Sequence, residues 1–165
     1  MAGGPILPSS IYVGGASGNL SPTFYVPATN TNSAGAIEGV GVVASLASTV
    51  SAVLQFNLPE GIPTGVFKCR TLGWANATAG NAVITLNDGQ TAVGSNIGVT
   101  TLSAETQFTF TWAAAQNDII KENKTNLTTV PTANNILTLR VDYVGAGAVW
   151  TLAQLSVFQH SLVWE

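Results

Sequence analysis

The sequence predicts an all-β protein, an antiparallel β-sandwich of jelly-roll type with an extended N-terminal arm. Apolar residues recur with period two in several short runs, and turn-forming residues separate those runs at regular intervals. No long amphipathic helix pattern occurs anywhere in the 165 residues. The length fits one domain, and 46% apolar residues can supply a core without metal or disulfide staples. Residues 1–45 are assigned to the arm and its approach loop, and residues 46–165 to a single sandwich domain.

From residue 1 to about 36 the chain is rich in Gly, Pro, Ser, Asn and Thr. Pro5, Pro8, Pro22 and Pro27 remove backbone donors and disfavour helical geometry, which suits a segment lying along a surface better than a central strand. Two apolar runs, Ile11-Tyr12-Val13 and Phe24-Tyr25-Val26, give this arm the aromatic and branched residues that disordered tails lack.

In residues 50–58 the side chains of Val50, Ala52, Leu54, Phe56 and Leu58 share one face, the pattern of a half-buried strand. Residues 66–75 follow a Pro/Gly turn, with Phe67, Cys69 and Thr71 opposing Lys68 and Arg70. Ala82, Ile84 and Leu86 form another strand, expected to end in a hairpin at Asn87-Asp88-Gly89, because Asp-Gly tolerates the positive φ of tight turns. A weaker strand is expected over residues 97–102. Phe108, Phe110 and Trp112 alternate with Thr109 and Thr111, and residues 113–122 read as a short helix or structured turn. Leu137, Leu139, Val141 and Tyr143 make the next strand, Gly145-Ala146-Gly147 a turn, and residues 149–164 the final run. About eight strands result, without a fixed-period repeat.

Charge is the compositional anomaly. The chain carries five Lys and Arg and eight Asp and Glu, whereas an ordinary domain of this length would carry roughly forty charged residues. Glu38 is the only charge before Glu60. A surface this neutral implies cover by copies of the chain or by another protein. The expected partner interface is the arm, through Pro5, Ile6, Leu7, Ile11, Tyr12, Val13, Phe24, Tyr25 and Val26.

The same composition argues against several function classes. Five scattered cations and a net charge of −3 give no stripe for nucleic acid or an anionic membrane. Residues 39–59 are uncharged, but their Ser, Thr, Gln and Asn content and missing flanking cations speak for a buried strand over a membrane span. The opening residues lack a signal-peptide pattern, and Cys69 is the only cysteine, so folding in a reducing cytosol is expected.

Chemistry-bearing motifs are sparse. Gly39-Val-Gly41-Val-Val-Ala44 has dinucleotide-motif spacing without the βαβ context. One histidine and one cysteine cannot build a structural zinc site, and no spaced acidic loop suggests calcium. His160 reads as a strand residue at a surface or interface. No catalytic, cofactor or metal residues are assigned, and the chain is expected not to be an enzyme. Trp112 continues the core face of its strand, whereas Trp74, Trp150 and Trp164 are the candidate interface or ligand aromatics. Such platforms, with Asn76, Asn81 and Asp142 nearby, would let a β-sandwich bind carbohydrate.

The uncharged Pro/Gly arm, the Thr/Asn/Ala/Val-rich body and the closing stretch from Trp150 to Glu165 resemble small structural proteins of tailed-bacteriophage virions, especially capsid decoration (cement) proteins. The resemblance is one of style over most of the chain and transfers no residue role. It implies a homotrimer on the capsid surface that ties major capsid subunits together and is assembled in the host cytoplasm. Phage tail and fibre proteins share this composition.

Overall fold

Alternation buries one face of each strand, so every apolar run needs a second layer to cover it. The computed structural model, which describes residues 10–15, 20–21, 42–44, 46, 49–62, 66–75, 80–96, 101–103, 105–113, 120–146 and 156–164, supplies that cover with two antiparallel sheets. The strands are β1 (Ser10–Gly15), β2 (Leu20–Ser21), β3 (Val42–Ala44), β4 (Val50–Asn57), β5 (Phe67–Ala75), β6 (Gly80–Thr91), β7 (Thr106–Trp112), β8 (Lys121–Asn126), β9 (Ile136–Ala146) and β10 (Ser156–Trp164). One sheet has the order β2-β1-β4-β9-β6-β7 and the other β3-β10-β5-β8. From β3 onward the chain changes sheet at every step except β6 to β7, a jelly-roll-like winding, and no helix occurs among the described residues.

The expected strand faces form the core. Ala52, Leu54 and Phe56 of β4, Ala82, Ile84 and Leu86 of β6, and Leu137, Leu139, Val141 and Tyr143 of β9 pack on Cys69, Ala75, Phe158 and Leu162 of the smaller sheet. Pairings such as Leu54 with Leu139 and Ile84 with Tyr143 keep these side chains in line. The ring of Phe158 stacks on Tyr143 at 4.7 Å and lies parallel to Phe110 at 6.5 Å, joining the sheets. Gly73 sits against these rings. A Cβ there would lie 2.9 Å from atoms of both Phe110 and Phe158, so the close approach requires glycine.

Several expectations change. Asn87-Asp88-Gly89 is not a hairpin turn but the continuation of β6, paired with Arg140, Leu139 and Thr138 of β9. The chain turns later, at Ala92 to Ser95, where Ser95 N–H donates to Ala92 O at 3.0 Å and Gly94 has φ +87°. Asp88 is only 3% exposed. Its Oδ1 accepts from Thr128 N–H at 3.1 Å and Ser103 Oγ–H at 3.0 Å, and its Oδ2 accepts from Thr129 N–H. Two residues on, Gln90 Nε2 donates to Val130 O at 2.9 Å and Oε1 accepts from Thr132 N–H at 2.9 Å. The carboxylate assigned to a turn thus anchors the loop that follows β8.

The end of the expected helical segment is also different, because Lys121 and Glu122 belong to β8. Residues 114–119 lie outside the described residues, as do 97–100 of the weaker expected strand, while Thr101 to Ser103 are not in a strand. Part of the expected arm is a component of the chain's own sheet. β1 runs antiparallel along β4, with Ile11 paired to Leu54, Tyr12 to Val53 and Val13 to Ala52. Pro5, Ile6, Leu7, Phe24, Tyr25 and Val26 lie outside the described residues.

Candidate functional site

The side chains most suited to nucleophilic or acid–base work are enclosed. Cys69 and Thr71 alternate inward on β5, and β10 brings His160 into register with Thr71. His160 Nδ1 lies 3.0 Å from Thr71 Oγ1 and 3.8 Å from Cys69 Sγ, and its Nε2 lies 2.6 Å from Tyr143 Oη of the opposite sheet. The expected surface or interface position of His160 is therefore corrected: it is 4% exposed, in the core, because hydroxyls from two strands satisfy both ring nitrogens. Burial lowers its pKa to about 3. Burial likewise pushes the Cys69 thiol up to about 12, opposed by the Thr71 hydrogen bond and reinforced by the Asp88 charge. Both groups are held neutral and shielded from solvent.

Accessible functional groups lie on the outer side of the smaller sheet. Phe67, Cys69, Thr71 and Gly73 face the core, so Lys68, Arg70 and Leu72 face away from the six-stranded sheet. β8 pairs Asn126 with Lys68, Lys124 with Arg70 and Glu122 with Leu72, and all three of these β8 residues are exposed. On the other side of β5, β10 places the half-buried Gln159 opposite Leu72 and the buried Ser161 opposite Arg70. Arg70 Nε donates to Glu122 Oε1 in an exposed ion pair. That hydrogen bond and the Arg70 charge, with a further contribution from Lys124, hold the Glu122 carboxyl below the usual carboxylate range. The cations that look scattered in sequence are gathered by strand pairing: Lys68, Arg70 and Lys124, three of the five, share this outer face, whereas Lys121, paired with Gly73, alternates to the other side of β8.

The outer face of the larger sheet is more neutral. Asp142 accepts from Ser51 Oγ and from Arg140, whose Nη2 lies 3.2 Å from Oδ2. Gln107, Thr109 and Thr111 of β7 are exposed. Asn81 is half-buried on β6, opposite Thr111, whereas Asn76 lies outside the described residues. No cluster of three or more His, Cys, Asp or Glu suited to a metal ion occurs among the described residues.

Trp74 does not present an open platform. It is 6% exposed, on a strand flanked on both sides, and its buried indole N–H has no hydrogen-bond partner among the described residues. Trp150 lies outside the described residues, and Trp164 is placed as the last residue of β10, paired with Phe67. Sequence reasoning singled out these tryptophans and missed the Arg70–Glu122 pair, whose one sequence signal was the alternation that turned Arg70 outward.

No protein-family model and no curated protein matches the chain. Among solved structures, the chain is similar to TmCBM61, determined in complex with β-1,4-galactotriose, with 16% identity, a TM-score of 0.42, and coverage of 95% of this chain and 90% of that one. It is also similar to the enzymatically active domain of bacteriophage CBA120 tailspike protein 4, with 11% identity, a TM-score of 0.37, and coverage of 94% of this chain and 19% of that one. Its structural neighbours thus include a carbohydrate-binding module and a phage tailspike domain.

Proposed function

We propose that the chain is a non-enzymatic β-sandwich binding module of a phage particle and that it recognises carbohydrate through the outer face of β5 and β8. The Arg70–Glu122 pair carries this reading. A donor fork and an acceptor carboxylate stand side by side on the outer face of β5 and β8, which is the two-sided hydrogen-bonding set that neighbouring sugar hydroxyls need. Enclosure of His160 and Cys69 in the core supports binding over catalysis. A place in the virion is supported by the charge deficit and the compositional resemblance to phage structural proteins.

A glycan array and affinity electrophoresis test this with the wild type and the Arg70→Ala/Glu122→Ala double variant. The wild type is expected to be retained by at least one polysaccharide, and the double variant to lose that retention while keeping its melting temperature. A folded wild-type protein that no glycan retains overturns the reading.

Capsid decoration is a second reading, favoured by the single charge, Glu38, in the first 59 residues. In it, a homotrimer binds major capsid subunits through neutral surface. Light scattering and co-sedimentation with phage shells decide it: a monomer that leaves the shells bare overturns it.

A further inference from the structure

Charge in this chain is segregated. Lys68, Arg70 and Lys124 share the outer face of β5 and β8, where Glu122 is the only carboxylate, and Lys121 lies on the other side of β8. The rest of the chain holds seven carboxylates and one cation, Arg140. Moreover, Arg70 and Lys124 are direct cross-strand partners. Like charges directly opposite one another destabilise a sheet. Glu122 bridges to Arg70 and also lies in the field of Lys124, so one carboxylate serves two cations and leaves the trio net positive. A chain with few charges that places two cations face to face on an exposed surface has the electrostatics of an anion site.

The neighbouring groups narrow the ligand. Asn126 is exposed beside Lys124 on the same face, and Gln159 continues that face across β5. These amides, with Glu122, suit hydroxyl groups lying between acidic ones. A nucleic acid carries closely spaced phosphates, about one charge per 1.7 Å of duplex, and would set them against Glu122. Uronic-acid and phosphodiester polysaccharides space their charges by whole sugar units and leave hydroxyls for the carboxylate.

We infer that the outer face of β5 and β8 takes an anionic polysaccharide, with Arg70 and Lys124 meeting its carboxylate, sulfate or phosphate groups and Glu122 and Asn126 meeting the hydroxyls between them. This rests on the carbohydrate reading above and specifies its ligand class.

The test uses the full chain at low salt in affinity electrophoresis and titration calorimetry. The probes are polygalacturonate and its carboxyl-reduced form, dextran sulfate and dextran, and a phosphomannan with its dephosphorylated form. A single-stranded DNA oligonucleotide is run alongside. At least one acidic polymer is expected to bind about tenfold or more tightly than its neutral counterpart, a difference of about 1.4 kcal/mol. Arg70→Gln and Lys124→Gln should each weaken that binding by about threefold to tenfold, as loss of one charge contact does, while Arg140→Gln on the other sheet should not. Lys124→Gln, on an exposed edge strand, keeps the test valid should Arg70→Gln unfold. Equal binding of acidic and neutral polymers, or indifference to Lys124→Gln, overturns the inference and leaves the carbohydrate reading standing. Tighter binding of the oligonucleotide than of every polysaccharide overturns it as well, and binding of none of the probes sinks both.

Discussion

Tyr143 Oη lies 2.6 Å from His160 Nε2, and this contact ties the two sheets together through the middle of the core. Thr71 partners the other ring nitrogen, so a neutral imidazole is satisfied in either tautomer. The Tyr143 ring also stacks on Phe158, which separates its apolar role from its polar one.

Tyr143→Phe keeps the stack and removes the hydroxyl. It should destabilise the protein by about 1–3 kcal/mol, the cost of leaving a buried partner unsatisfied, as read from the urea midpoint at pH 7.5. An unchanged midpoint would show that the hydroxyl contributes nothing.

Acid should unfold the chain through His160. Its folded pKa is about 3, below the ordinary 6.5, so on acidification the unfolded state takes up the proton first. Stability is complete above about pH 6.5 and declines as pH falls toward about 3, by up to several kcal/mol. His160→Gln should flatten the part of the urea-midpoint profile between pH 6.5 and 4, whatever its effect at neutral pH. A variant profile as steep as the wild type's would place the acid sensitivity elsewhere.

Asp88→Asn substitutes an amide that can turn only one oxygen toward donors, whereas the carboxylate serves Thr128, Thr129 and Ser103 together. A loss of about 1–3 kcal/mol is expected, with faster amide exchange at Thr128 and Thr129. Slow exchange at both amides in the variant would contradict the anchoring role.

Gly73→Ala should overpack the core, since the added methyl meets two aromatic rings at 2.9 Å. The expected cost is about 1–3 kcal/mol, seen as a lower melting temperature. An equal or higher melting temperature would mean that the rings of Phe110 and Phe158 yield freely.

Strands β4, β5, β7 and β9 were legible because half-buried strands write their burial directly into alternation. Ala52, Leu54 and Phe56 were expected inward and are buried. The Lys121–Asn126 strand was not legible, since its residues are all polar and only pairing with β5 makes it a strand. Asp88 misled because Asp-Gly has two uses, a tight turn or a buried acceptor beside a residue without a side chain, and only the tertiary partners distinguish them. The Arg70–Lys124 face was invisible for a similar reason. Its members are separated along the chain, and adjacency arises from register. Trp74 shows the converse, an outward strand position that is nonetheless buried.

The strand order also constrains the time course of folding. β4 finds its second neighbour only in β9, and β5 is flanked by β8 and β10, with Phe67 paired to Trp164. Few pairings join strands that are close in sequence, so loop-closure entropy must be met before most contacts form, and folding on the millisecond-to-second scale is expected. During synthesis, β5 keeps one edge open until β10 has emerged from the ribosome. The face bearing Arg70 and Lys124 is therefore braced on both sides of β5 only once β10, far along the chain, has docked.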